Sequence, residues 1–365
     1  MDDDLVDPRV SAAAAHWGPR FAHNGTDYLD FTRTVARISH WEDWCREWSR
    51  TAEEYEALAT RAEADGHAVT AMAAWRHAGL AWHWAKFVFV IDPEEQRAAH
   101  ERAVAAYAKG AAGLDPPAER VLVPYGGTHL PALLRVPRTP VAPPVVVMAP
   151  GLDSVKEELQ ETAGYFCARG MATLAVDGPG QGESEYDLAI EPAYERVASA
   201  ALDFLAGRAD VDAARAGMFG ISLGGYYAAR AMAFDTRFTA GVVLAGPFRF
   251  DLGWEDLPPM TRDTLRHRSR SADDQAARAF AGQLTLEHAA ARITAPLLVV
   301  HGGEDRIVSP AHAERLAAEA PGAQLVMIAD GNHGVTNHAF ASRTLLADWM
   351  ADRLGTGASA ADGVD

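Results

Sequence analysis

Three short stretches carry residue types suited to nucleophilic chemistry. The first is Gly220-Ile221-Ser222-Leu223-Gly224-Gly225, which follows the apolar run Ala216-Gly217-Met218-Phe219 and precedes the helix-forming run Tyr226 to Met232. Strand, Gly-x-Ser-x-Gly, helix is the context of a nucleophile elbow. A serine on so sharp a turn has a strained backbone, its hydroxyl stands above the sheet edge, and only glycines fit beside it. The N–H of Leu223 then opens a helix, where partial positive charge favours an oxyanion. The second stretch is His301-Gly302-Gly303-Glu304-Asp305 and the third is Gly331-Asn332-His333-Gly334, each after an apolar run. A serine hydroxyl is a weak nucleophile near neutral pH. An imidazole must take its proton, and a buried carboxylate must hold that imidazole in the right tautomer. His333 fits the base. For the carboxylate, chain direction alone leaves Asp305 and Glu304 open.

The rest of the chain must position these groups. From Phe31 to Ala112 the pattern is helical. Trp41, Trp44, Cys45 and Trp48 share one helix face. Thr51 with Glu54 reads as a capping box opening a second helix to Asp65, and Gly66 breaks it. A third helix spans His67 to Val90. Asp92-Pro93 opens a fourth that ends near Gly110. Residues 1–20 read as a poorly ordered start. Seven of the nine tryptophans precede residue 85, so their rings either form an internal core or roof a site. After Asp115-Pro116-Pro117 the periodicity changes. A hairpin through Gly126-Gly127 is expected, then strands near 145–149, 172–176, 215–219, 241–245, 297–300 and 325–328, with helices near 156–169, 191–207, 223–234, 310–319 and 338–353. This alternation implies a mostly parallel sheet of about eight strands with helices on both faces. The expected division is 1–115 as a helical cap and dimerisation domain, 116–354 as the catalytic domain with an insertion at about 247–292, and 355–365 as a flexible tail.

Composition narrows the partners. The 365 residues are 48% hydrophobic and carry a formal charge of −17 with only three lysines. That balance argues against nucleic acid or an anionic membrane as partner. Two cysteines make no disulfide framework and no metal spacing, and the acidic start lacks a signal pattern, so a cytoplasmic protein is expected. No phosphate-binding pattern is present and no cofactor is implied.

The order Ser222, Asp305, His333 and the elbow context resemble the α/β-hydrolase fold from about 119 to 353. The resemblance implies Asp305 rather than Glu304 as carboxylate, because family members commonly carry His-Gly-x-x-Asp there. It also places the second oxyanion donor after the third strand, in Pro150-Gly151-Leu152-Asp153-Ser154, where the Leu152 N–H is the candidate. More specific blocks are Pro150 to Glu158, Asp177-Gly178-Pro179-Gly180-Gln181-Gly182-Glu183, and Ile190 to Val197. With the helical N-terminal part they resemble the group of 2,6-dihydroxypseudooxynicotine hydrolase, yellowish-green-type polyketide hydrolases and FrsA-like esterases. That resemblance implies a homodimer acting on a small, aromatic or polyketide-like molecule. It implies cleavage of a C–C bond beside a carbonyl, with ester or thioester cleavage by the same triad as the alternative and a non-catalytic binding protein as a remote third. It also implies an auxiliary acid after the strand that follows the elbow helix, for which Glu255 is the nearest counterpart by position.

Overall fold

The structure, a computed structural model, describes residues 7–87 and 90–356. The expected tail beyond Thr356 and the first six residues lie outside that range. Five helices come first: α1 (Pro8–His23), α2 (Tyr28–Val35), α3 (Trp44–Ala64), α4 (Ala68–Lys86) and α5 (Pro93–Gly110). The expectation of a poorly ordered start is corrected by α1. Asp7 caps it by accepting from the Arg9 N–H at 2.8 Å, with Pro8 in the first turn, the same Asp-Pro device that opens α5 at Asp92-Pro93. The capping box at Thr51 is a second correction. Helix α3 runs through it unbroken, because the buried stripe Trp44, Trp48, Thr51, Ala52, Ala59 continues across the position. The Thr51 hydroxyl instead meets the Thr34 hydroxyl at 2.6 Å and joins α3 to α2. Helix α4 stops at Lys86, short of the expected Val90.

The sheet then forms. β1 (Ala118–Tyr125) and β2 (Thr128–Arg135) pair antiparallel through Gly126-Gly127. Both glycines have positive φ, 54° and 84°, as a two-residue hairpin turn requires. β3 (Pro144–Ala149), α6 (Gln160–Cys167), β4 (Ala172–Val176), α7 (Glu195–Ala206), β5 (Asp212–Ile221), α8 (Leu223–Phe234) and β6 (Phe238–Leu244) follow. The insertion carries α9 (Pro259–Arg268) and α10 (Asp274–Ala281), and β7 (Leu297–Gly302), α11 (Pro310–Glu319), β8 (Ala323–Ile328) and α12 (Ala339–Leu354) complete the chain. The eight strands order as β1-β2-β4-β3-β5-β6-β7-β8, parallel from β4 to β8.

Side chains alternating along the strands feed two cores. Val145, Val147 and Ala149 of β3 face the core under α7, α8 and the insertion. Val146 and Met148 face the core under α6 and α12, with Phe166, Leu346 and Met350. The helical part has its own core, in which Phe21, Trp44, Trp48, Trp84 and Phe87 pack ring to ring; Phe21 stacks on Trp84 at 3.8 Å between centroids. Most of the early tryptophans are therefore internal core. None of the described helices is long and apolar enough to cross a membrane.

Candidate active site

β5 ends and α8 begins at Ser222, whose φ of 57° and ψ of −126° lie outside the regions open to most residues. The strain is held by its neighbours. A Cβ at Gly220 would overlap the Gly224 carbonyl, one at Gly224 would overlap the Ala149 carbonyl, and one at Gly225 would lie 2.6 Å from the Gly246 Cα. The Ser222 N–H donates to the Leu244 carbonyl at 2.9 Å, which fixes the turn to β6. The Leu223 N–H opens α8, where the helix leaves its first amides unpaired by its own carbonyls.

β7 and β8 end beside it. The Ser222 Oγ lies 2.9 Å from the His333 Nε2, and the His333 Nδ1 lies 2.8 Å from the Asp305 Oδ2. Asp305 is buried, and its Oδ1 accepts from the Ile307 and Val308 N–H groups at 2.9 and 3.0 Å. Burial pushes its carboxyl up, but His333 and these amides outweigh that and hold it below the usual carboxylate range. An ionised Asp305 can only accept, so the His333 proton sits on Nδ1 and Nε2 is left to accept from the serine. Glu304 points away, exposed at the surface.

Ser222 and His333 line a cavity that opens to solvent, and Asp305 lies behind the histidine. Apolar sides come from Leu152, Phe250, Leu252 and Leu257. Another wall is α1 and its C-cap, through His16, Trp17, Arg20, His23 and Asn24. Burial draws His16 down to about 4 and His23 to about 3, so both are neutral near pH 7. A buried carboxylate, Glu158, ties this wall to the β3 loop. It accepts from Arg20 at 2.6 and 2.8 Å, Asn24 at 2.7 Å, Ser154 at 2.7 Å and His83 at 3.0 Å. Arg20 also meets Asp153 at 3.0 Å. No helix-face pattern marked this role, although Asp7-Pro8 was the available signal for α1 itself.

Glu255, the expected auxiliary acid, is corrected. Its side chain is 70% exposed, pairs with Arg278 at 2.9 Å and does not line the cavity. It sits in a short turn after Gly253 whose left-handed φ of 74° swings the chain outwards. Phe250 and Leu252 take the inward places.

The loops after β3 and β4 are locked to each other. Lys156, wholly buried, meets Asp177, Glu157 and Glu183 at 2.7 to 2.8 Å. Gln181, also wholly buried, donates through Nε2 to the Pro150 and Gly151 carbonyls at 2.6 and 2.8 Å. In a trans peptide the Gly151 carbonyl and the Leu152 N–H point opposite ways. Anchoring that carbonyl on Gln181 therefore turns the Leu152 N–H away from Gln181. Gly151 itself packs on the serine, since a Cβ there would lie 3.3 Å from the Ser222 Cβ. Arg268 of α9 holds the next carbonyl, that of Leu152, and pairs with Glu185 at 2.8 Å.

Comparison with known proteins agrees with this architecture. The profile of the prolyl oligopeptidase family matches residues 158–356. The chain belongs to that family of α/β hydrolases. Among its relatives is the 2,6-dihydropseudooxynicotine hydrolase of Paenarthrobacter nicotinovorans, 32% identical over 346 residues, which cover 94% of this chain and 92% of that protein. The crystal structure of a 2,6-dihydroxy-pseudo-oxynicotine hydrolase superposes with a TM-score of 0.85 at 32% identity, over 93% of this chain and 96% of that one. The 20-hydroxy-prefusarin hydrolase of Gibberella moniliformis is 36% identical over 257 residues, 66% of this chain and 59% of that protein. As a member of this family the chain is a hydrolase, and its relatives are named for small molecules.

Proposed function

We propose that the chain is a serine hydrolase in which Ser222 is the nucleophile, His333 the general base and then acid, and Asp305 the group that orients and stabilises the imidazole. The observation that carries this reading is the unbroken hydrogen-bond chain from Ser222 through His333 to Asp305 at the wall of a largely apolar cavity. The Ser222 Oγ attacks the substrate carbonyl carbon as His333 Nε2 takes its proton. The Leu223 and Leu152 N–H groups receive the oxyanion. Collapse expels the leaving group, protonated by His333, and leaves an acyl-serine that water cleaves by the same steps in reverse.

The bond we assign is a C–C bond beside a carbonyl, in an acyl-phenol, 1,3-diketone or polyketide-like molecule. The named substrates of the relatives and the apolar cavity support this. With Glu255 outside the cavity, His333 must itself return the proton to the carbon leaving group. Ester or thioester cleavage needs no further acid at all, and that same absence favours it as the second reading. We read the helical region as a cap, since α1 walls the cavity, in a cytoplasmic homodimer that sedimentation at micromolar concentration would reveal. Product identification by mass spectrometry decides the chemistry. The assay presents p-nitrophenyl esters, thioesters, acyl-phenols and aryl 1,3-diketones to the wild type and to Ser222→Ala. Release of an acid together with a carbon-protonated arene or ketone assigns C–C cleavage, and turnover of esters alone assigns the esterase.

Gln181 acts on this chemistry through the Gly151-Leu152 peptide. Gln181→Leu removes both donors and frees that peptide to rotate. The expected result is a fall in kcat of about ten- to a hundredfold with KM little changed, since the oxyanion forms only after binding. A fall in melting temperature with kcat intact would leave Gln181 as a loop anchor alone.

A further inference from the structure

Among the described residues most buried lysines and arginines meet a carboxylate, as Lys86, Lys156, Arg20 and Arg268 do. Arg135 has none, but each of its three nitrogens donates to a carbonyl, of Pro116, Gln160 or Asp115, at 2.8 to 3.0 Å. Arg343 of α12 differs from all of these. It is 1% exposed and lines the catalytic cavity. Its Nη1 donates to the Gly334 carbonyl at 2.9 Å and to the Ser342 hydroxyl at 3.0 Å. Its Nε has no partner, and among the described residues neither its Nη2 nor any other atom of the guanidinium meets a carboxylate.

The surroundings do not neutralise it. His23, across the cavity wall, is kept neutral by burial and by Arg343 itself. Glu158 and Asp153 are the carboxylates that line this cavity; Arg20, Asn24, Ser154 and His83 already occupy the first, and Arg20 meets the second. Burial without a counter-charge lowers the Arg343 guanidinium to about 10, still protonated near pH 7. A buried, unpaired cation is among the more costly features a fold can keep. Placed in a substrate cavity, its missing partner is the ligand.

We propose that Arg343 binds a negatively charged oxygen group of the substrate, so that the cavity selects anionic molecules. The proposal deepens the serine-hydrolase reading and rests on it. The anchoring of Nη1 to the residue after His333 sets the charge beside the catalytic loop, so the anionic group lies within the same small molecule as the scissile carbonyl. A carboxylate and an ionised enol share this chemistry, and both are matched by guanidinium donors.

Two probe pairs test it and separate these sources. The first is p-nitrophenyl hydrogen glutarate against its neutral methyl ester, compared by kcat/KM. The second is 2-acetyl-1,3-cyclohexanedione, ionised near neutral pH, against its neutral enol methyl ether, compared by calorimetric binding to Ser222→Ala. With Arg343 in place, the anion is expected to be favoured at least tenfold in one or both pairs, chiefly through KM or Kd. The same pair shows which source fits. Arg343→Gln lowers that ratio to about one, and Arg343→Lys restores part of it. Equal treatment of anion and neutral form in both pairs with Arg343 in place overturns the proposal, as does a ratio unchanged when Arg343→Gln is added. Should Arg343→Gln fail to fold, the wild-type ratios measured at low and high salt decide alone: a preference for the anion that weakens with salt supports the proposal, and its absence overturns it. Ester turnover that survives Ser222→Ala would instead overturn the nucleophile assignment, while the binding pair still reports on Arg343.

Discussion

Ser222→Ala is expected to lower kcat by about 10⁴- to 10⁶-fold and to leave the fold intact. The fold should survive because the substitution keeps the Cβ and removes an oxygen whose hydrogen bond is to His333. The glycines that hold the turn are untouched, and the Ser222 N–H still reaches the Leu244 carbonyl. Burst kinetics with an activated ester would report the acyl-serine in the wild type and its loss in the variant. Asp305→Asn is expected to cost about 10⁴-fold, for a reason written in its contacts. The Ile307 and Val308 N–H groups require an acceptor at Oδ1. The asparagine amide oxygen must take that place, so its NH₂ faces the His333 Nδ1. The histidine proton then moves to Nε2, where it can no longer accept from Ser222. Glu304→Gln, at an exposed position, should stay within about twofold of wild type. Near-wild-type activity in Asp305→Asn, or a large loss in Glu304→Gln, would reverse the two assignments.

What could be read from the chain and what could not divide along a physical line. The strands were legible because continuous apolar runs such as Val145 to Ala149 are buried on both faces, a local property of the sequence. The elbow was legible because three glycines there answer to overlaps with backbone atoms that no other residue avoids. Helix α5 was legible from Asp92-Pro93, and α1 carried the same signal at Asp7-Pro8, masked by the acidic residues before it. Thr51 misled because a capping residue and a mid-helix threonine look alike until the partner, here Thr34, is known. Glu255 misled because position along a loop does not say which way a side chain turns, and one left-handed glycine turned it outwards. Gln181 and Glu158 matter through partners far away in sequence, and Arg343 through one that is missing. Gln181 reaches Gly151, Glu158 reaches Arg20 and His83, and Arg343 is notable for an ion pair it lacks. No spacing rule encodes such relations.

Glu158 is where loss of one side chain should cost the most stability. Glu158→Ala is expected to destabilise the protein by about 3–5 kcal/mol, the usual consequence of breaking a buried charge pair from one side. It would leave Arg20 with Asp153 alone and orphan donors on Asn24, Ser154 and His83. Those donors lie at the end of α1, on α4 and on the β3 loop, so the damage should centre on the cavity wall and raise KM in what remains folded. Replacing both charges, as Arg20→Met with Glu158→Leu, should cost less than the sum of the single changes, because neither member of the pair is left buried without the other. Denaturant titration of the four proteins checks this, and strict additivity would mean that the pair is not coupled. Acid should act in two stages. His83 faces Glu158 through Nε2 but is pulled below its ordinary value by burial, as are His16 and His23, to about 4 and about 3. The unfolded chain binds protons at these histidines from about pH 6.5 downwards while the folded chain does not, so stability falls as pH drops through that range. Glu158 has the opposite origin and the same sign. Burial raises its carboxyl, but Arg20 and His83 outweigh burial and hold it well below the usual carboxylate range. Its contribution is complete above the unfolded value of about 4.3 and is lost only as pH falls further, towards its folded value. The wild type should therefore lose stability from about pH 6.5 and again below about 4, and Glu158→Gln should keep the first loss and show a smaller second one, since Asp305 and Glu185 remain.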